Sequence, residues 1–139
     1  MILSRWDWNQ VTREAPWKGV LTFLAWPVLA AQPYAYRTEA DLHREIAAVL
    51  CAADVPVRHE VSLGPGLRID FVSRGIGVEI KTAGSPVDVS KQLRRYGTTY
   101  KLSALLLLTT CPSHLHQIPE HGYGVPTAVI GLSAVRLRR

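Results

Sequence analysis

Asp70, Glu79 and Lys81 are the residues of this chain whose types and spacing suggest a reaction. On an extended strand, alternate residues share a face. In Val78-Glu79-Ile80-Lys81, Glu79 and Lys81 therefore point one way while Val78 and Ile80 enter a core. In Ile69-Asp70-Phe71, the two apolar residues go one way and Asp70 the other. If the two strands pair, both carboxylates and the ammonium converge on one patch. Neighbouring carboxylates repel, and a bound cation explains them most easily. Oxygen ligands of this kind suit Mg²⁺, with Mn²⁺ able to substitute. Lys81 beside them could orient or deprotonate a water, or steady the charge of a pentavalent phosphate. Glu-x-Lys alone is common, and on a surface hairpin it carries no chemistry. Asp70, nine positions before Glu79 on an adjacent apolar strand, is what lifts it above that background. Glu60, alternating with Val61, could add a ligand or a water contact.

Further along, Gln92 and Tyr96 are four apart and share one helical face. Lys91, Arg94, Arg95 and Lys101 add a basic surface suited to phosphates, although a solvated charged face accounts for any one of them. A rival constellation, Cys111, His114, His116 and His121, offers zinc donors, but its spacing matches no strong finger pattern. No serine or cysteine has a recognisable activating partner, and Gly64-Pro65-Gly66 is a turn rather than a phosphate loop.

The elements that must position these residues follow from the hydrophobic pattern. Thr38 is an N-cap with Asp41 completing an imperfect capping box. Leu42, Ile46, Val49, Leu50 and Ala53 recur at helical spacing until Asp54 to Pro56 stops the helix. Val57 to Leu63, Leu67 to Val72 and Val78 to Lys81 read as three strands, the last two forming a hairpin. After Gly84 and Pro86 comes a helix of about fifteen residues around Val87 to Lys101. The apolar run Ala104 to Thr109 reads as a strand buried on both faces, and Thr127 to Leu132 as a last strand. The expected class is α/β, a central mixed sheet flanked by helices in the order α-β-β-β-α-β. Residues 1–37 hold all four tryptophans (Trp6, Trp8, Trp17, Trp26) and no clean period. They read as an irregular N-terminal arm with one short helix, folded back on a domain spanning 38–139. The tryptophans either cap the core or form a base-stacking or dimer surface.

The run Arg68-Ile69-Asp70-Phe71, then Gly77-Val78-Glu79-Ile80-Lys81, then Gln92-Leu93-Arg94-Arg95-Tyr96 resembles the PD-(D/E)XK nuclease superfamily. The last piece is similar to the Q-x-x-x-Y helix of its RecB and lambda-exonuclease branch, and the small size to compact phage and bacterial members. Ile69 stands where the family's name has proline, and the arm has no counterpart there. The resemblance covers about Thr38 to Leu132. It implies a restriction-endonuclease-like core and Mg²⁺-dependent hydrolysis of phosphodiesters. Asp70 and Glu79 would hold the metal together with the Ile80 carbonyl, Lys81 would position the attacking water, and Gln92 would hold the lysine or DNA near the metal. Tyr96 groups with Lys91, Arg94, Arg95 and Lys101 as a nucleic-acid contact. The family also carries a helical glutamate. At about 100° per residue, Glu39 falls about 35° from the centre of the first helix's apolar stripe, and Glu45 about 80°. Glu39 is therefore chosen, with a simple capping charge as the plainer alternative.

Bulk properties agree with a nucleic-acid partner. The chain has 139 residues, a formal charge of +5 and a pI near 9.6; such an excess suits a polyanion. Cys51 and Cys111 belong to no C-x-x-C pair and suggest a reducing, cytoplasmic setting. The apolar stretch Gly19 to Ala31, interrupted by Pro27, falls short of the roughly 20 residues of a membrane span. Asp7 and Glu14 argue against a secretory signal. Two alternatives stay open: a binding module on the same fold with weak or no catalysis, and a Holliday-junction resolvase-like homodimer. A partner protein supplying specificity is a further expectation for so short a chain.

Overall fold

A computed structural model describes residues 16–138. In chain order the elements are α1 (Pro16–Ala30), β1 (Tyr34–Tyr36), α2 (Glu39–Ala52), β2 (Arg58–Gly64), β3 (Leu67–Ser73), β4 (Ile76–Lys81), α3 (Pro86–Gly97), β5 (Ala104–Thr109), α4 (Pro112–Gln117), β6 (Thr127–Gly131) and β7 (Ala134–Arg136). Five strands form one sheet in the order β2-β3-β4-β5-β6, antiparallel from β2 to β4 and parallel from β4 to β6. The fold is thus α/β, with helices flanking a mixed central sheet.

Alternation along the central strands makes two cores, one on each face of the sheet. On β5, Leu106 and Leu108 join Val78, Ile80 and Phe71 beneath α1 and α2. Leu105 and Leu107 join Val72 and Val129 on the α3 face. Every residue of β5 is buried, which is why its sequence is an uninterrupted apolar run.

The helices obey local rules. Thr38 caps α2 through both halves of a capping box with Asp41, and Leu42, Ile46 and Leu50 bury one stripe. Ser85 caps α3, Pro86 sits in its first turn, and Val89, Leu93 and Tyr96 pack inward. This helix stops at Gly97, earlier than expected, so Lys101 lies beyond it. Residue 97 has to be glycine for a steric reason: a Cβ there would lie 1.7 Å from the Tyr123 carbonyl oxygen. The main chain of the 123 segment thus rests directly on the end of α3.

Three expectations need correction. The described part of the N-terminal arm holds a fifteen-residue helix, and Leu21, Leu24, Ala25 and Val28 share the core under α2. The arm thus folds back on the domain as expected, but through a helix longer than the short one anticipated. Trp26 is 65% exposed and caps nothing, while Trp6 and Trp8 lie outside the described residues. Secondly, the short strands β1 and β7 pair in parallel in a sheet of their own. Thirdly, Ile69 and Phe71 do not share a face: Phe71 enters the α1/α2 core and Ile69 the α3 core. Ile69 goes there because Gly77 leaves room for it; a Cβ on Gly77 would lie 2.6 Å from Ile69 Cδ1. Among the described residues, no helix is long and apolar enough to cross a membrane.

Candidate metal and catalytic centre

The break in alternation at Asp70 is where the sheet opens. The β3–β4 register runs Ser73↔Ile76, Val72↔Gly77, Phe71↔Val78 and goes no further. Past that point, side chains take the main-chain donors. The Asp70 N–H donates to Glu79 Oε1 at 3.3 Å, and the Ile80 N–H donates to Asp70 Oδ2 at 2.8 Å. Two carboxylates thus fill the gap between parted strands. Lys81, at the end of β4, brings Nζ to 3.5 Å from Glu79 Oε2.

Glu79 is held from the α3 side as well. The Tyr96 hydroxyl, within 3.0 Å of Glu79 Oε2 and 2.8 Å of the Arg68 carbonyl, has both as acceptors. Gln92 Nε2 in turn donates to the Tyr96 hydroxyl at 2.7 Å. The four-residue spacing of Gln92 and Tyr96 therefore builds a relay that fixes the carboxylate. Tyr96 is fully buried, so its expected role as a nucleic-acid contact is corrected: it has no surface to offer, and its ring belongs to the α3 core.

On the opposite side, α2 presents two groups. Glu39 Oε1 accepts from both the main-chain N–H and the hydroxyl of Thr82, at 3.0 and 3.2 Å. The helix thereby reaches the chain just after Lys81, with Glu39 turned to the sheet. One turn on, His43 Nε2 lies 3.6 Å from Asp70 Oδ2 and 3.9 Å from Glu39 Oε2. That atom is buried and has no hydrogen-bond partner, alone in this respect among the described side chains. Sequence reasoning missed His43, although its signal was present: it follows Glu39 by four residues and so shares its face. The Phe71 ring, 6.2 Å from that of His43 and 5.1 Å from that of His59, flanks the imidazole.

The donor set fits a divalent cation. Among the described residues, the group able to converge on one ion is His43, Glu60 and Asp70, with ligand atoms mutually within 4.8 Å. Two carboxylates with one imidazole nitrogen are donors that a divalent metal ion accepts. A buried imidazole nitrogen that faces carboxylates without a hydrogen bond fits such an ion. Glu60 opposes Asp70 on β2 from a left-handed backbone (φ 51°) and pairs with Arg68 at 3.5 Å. The cysteine–histidine constellation, by contrast, does not assemble: both ring nitrogens of the buried His114 are spent on Thr109 and the Gly84 carbonyl. Lys91, Arg94 and Arg95 are exposed on α3, and Lys101 is exposed after it.

Electrostatics set a testable pH dependence. Burial, then the adjacent Asp70 charge, pushes the Glu79 carboxyl up to about 8; burial raises Asp70 as well. The folded, metal-free protein therefore favours a protonated Glu79. The associated stability is full below the unfolded carboxylate range, near pH 4.5, and is lost as pH rises through about 8. In chelator, the melting temperature should fall across that window, and Glu79→Gln should flatten the fall. Parallel curves for the two proteins would sink this account of the pair.

Comparison of the chain with protein-family models, with curated proteins and with solved structures returns no match. Function must therefore be argued from the geometry.

Proposed function

We propose that the chain is a metal-dependent nuclease of the PD-(D/E)XK type, built on a restriction-endonuclease-like core and hydrolysing phosphodiester bonds in DNA. The observation that carries this reading is the parting of β3 and β4 around Asp70 and Glu79, with Lys81 alongside. Neighbouring carboxylates inserted into a sheet, one buried and one partly buried, are destabilising unless a cation or a proton joins them.

Asp70 would hold Mg²⁺ or Mn²⁺ together with His43 and Glu60, with Glu79 and Glu39 beside them, and the Ile80 main chain runs through the same gap. The bound cation supplies Lewis acidity and neutralises charge on the phosphate. Everything else is work for the chain's own groups. Lys81 Nζ positions the attacking water and offsets the charge that grows on the phosphate. Asp70 and Glu79 are locked by main-chain and Tyr96 hydrogen bonds, so they need no rearrangement when the phosphate's charge grows. Gln92 touches no substrate in this scheme; it is a positioning residue acting through Tyr96.

The test is cleavage of closed circular single- and double-stranded DNA by the full chain with Mg²⁺, Mn²⁺ or chelator. Cutting that requires the cation is expected, more readily with Mn²⁺ given the imidazole. DNA that is bound but never cut under any condition would overturn the enzyme reading in favour of a binding module. Cutting that persists in chelator would overturn the metal.

A further inference from the structure

Around the start of α2 lies a group of exposed arginines that the chemistry above does not use, Arg44 among them at the edge of the pocket that holds His43, Glu60 and Asp70. Arg37 follows β1, Arg44 lies on α2, Arg136 ends β7 and Arg138 comes just after it. Main-chain pairing gathers them: Tyr36 is in register with Arg136, and the Leu137 N–H donates to the Tyr36 carbonyl at 2.7 Å. An open cleft of about 600 Å³ is lined by Arg37, Thr38, Asp41, Arg136, Leu137 and Arg138.

The acid in that lining is already committed. The Asp41 carboxylate accepts from the N–H groups of Arg37 and Thr38 at 3.0 and 2.9 Å and pairs with Arg44. Those bonds hold its carboxyl below the usual range. Glu45 lines the adjoining cleft beside Arg44. The cleft therefore presents guanidinium groups whose nearest acid is neutralised, held together against their own repulsion by strand pairing. Guanidinium forks match phosphate oxygens, and a polyanion relieves the repulsion.

Position decides what the cleft serves. Arg37 stands two residues before Glu39, so their Cα atoms lie within about 7 Å of each other by chain reach alone. Glu39 in turn bonds Thr82, next to Lys81. We propose that this cleft is a backbone-phosphate site for the nucleic-acid strand as it leaves the catalytic centre. Arg37, Arg136 and Arg138 contact its phosphates without reading bases, and Arg44 stands at the rim. The proposal rests on the nuclease reading and adds a substrate track that the chemistry does not require.

The test compares the full chain with the triple variant Arg37→Gln/Arg136→Gln/Arg138→Gln and with the matching triple lysine variant. Binding of a labelled duplex and of a single strand is titrated in chelator over a range of salt, and cleavage is measured with Mn²⁺. Losing these contacts should lower the slope of log affinity against log salt by about 2 to 3. KM for DNA should rise at least tenfold with kcat unchanged within about twofold. The lysine variant, which keeps the charge, should retain the slope. A glutamine variant with wild-type slope and KM overturns the phosphate track and leaves the nuclease reading standing; so does one in which kcat alone falls. A wild-type chain that neither binds nor cuts DNA removes both, and an arginine-dependent affinity for acidic protein alone would reassign the cleft. Thermal melts confirm folding of each variant; should the triple variant unfold, Arg138→Gln alone, expected to lower the slope by about 1, decides.

Discussion

Cleavage by Lys81→Ala is expected to fall by about a thousandfold or more, with the fold unchanged. In the proposed scheme, Lys81 is the cationic side chain beside the reacting water, and such a group contributes about 10²–10⁴-fold in rate. Its side chain lies at the end of β4 and is 23% exposed, so trimming it leaves no cavity in either core. The carboxylates need gentler replacements. Asp70→Ala would strip the acceptor from the Ile80 N–H, a loss of about 1–3 kcal/mol for a buried donor. Asp70→Asn and Glu79→Gln keep an acceptor while removing the charge, and both should be equally inactive. Single-turnover cleavage of DNA beside thermal melting separates the two effects. A Lys81→Ala protein that cuts at the wild-type rate would end the assignment of this centre.

The second large effect is on stability. Gly97→Ala places a methyl where the Tyr123 carbonyl already stands, and main chain on both sides has to give way. A cost of about 3 kcal/mol or more is expected, lowering the melting temperature by roughly 10 °C. Because Tyr96 precedes Gly97, the hydroxyl that fixes Glu79 should move as well. A melt superimposable on wild type would mean that α3 does not rest on the 123 segment as described.

How far the sequence carried depended on whether local chemistry or tertiary packing decides. Thr38 with Asp41, the strands of β3 to β5 and the Gln92–Tyr96 spacing were legible because caps, alternation and helical periods are local. Helix α1 was not: apolar residues run around it, so no stripe marks a period. Strands of three residues, β1 and β7, are too short to alternate visibly. The direction of Ile69 depends on the vacancy over Gly77 of a different strand, which no single segment encodes. Tyr96 could be placed on the right face but not at the right depth, because its burial comes from what packs across from it. Parity puts Glu79 and Lys81 on one face of β4, but on β3 it breaks at Asp70, where carboxylates replace ladder bonds in a way no alternation encodes.

That substitution ties the candidate site to the weakness of the sheet. Apolar residues at 70 and 79 would let β3 and β4 zip past Phe71 and Val78 and would remove a repelling pair from a dry interior. Selection for heat resistance alone would therefore erode both acids, as the trade-off between stability and activity commonly does. Their retention would report that some activity is being defended at the expense of the fold. A library screened first for thermal survival and then for cation-dependent activity should divide at these two positions before any other.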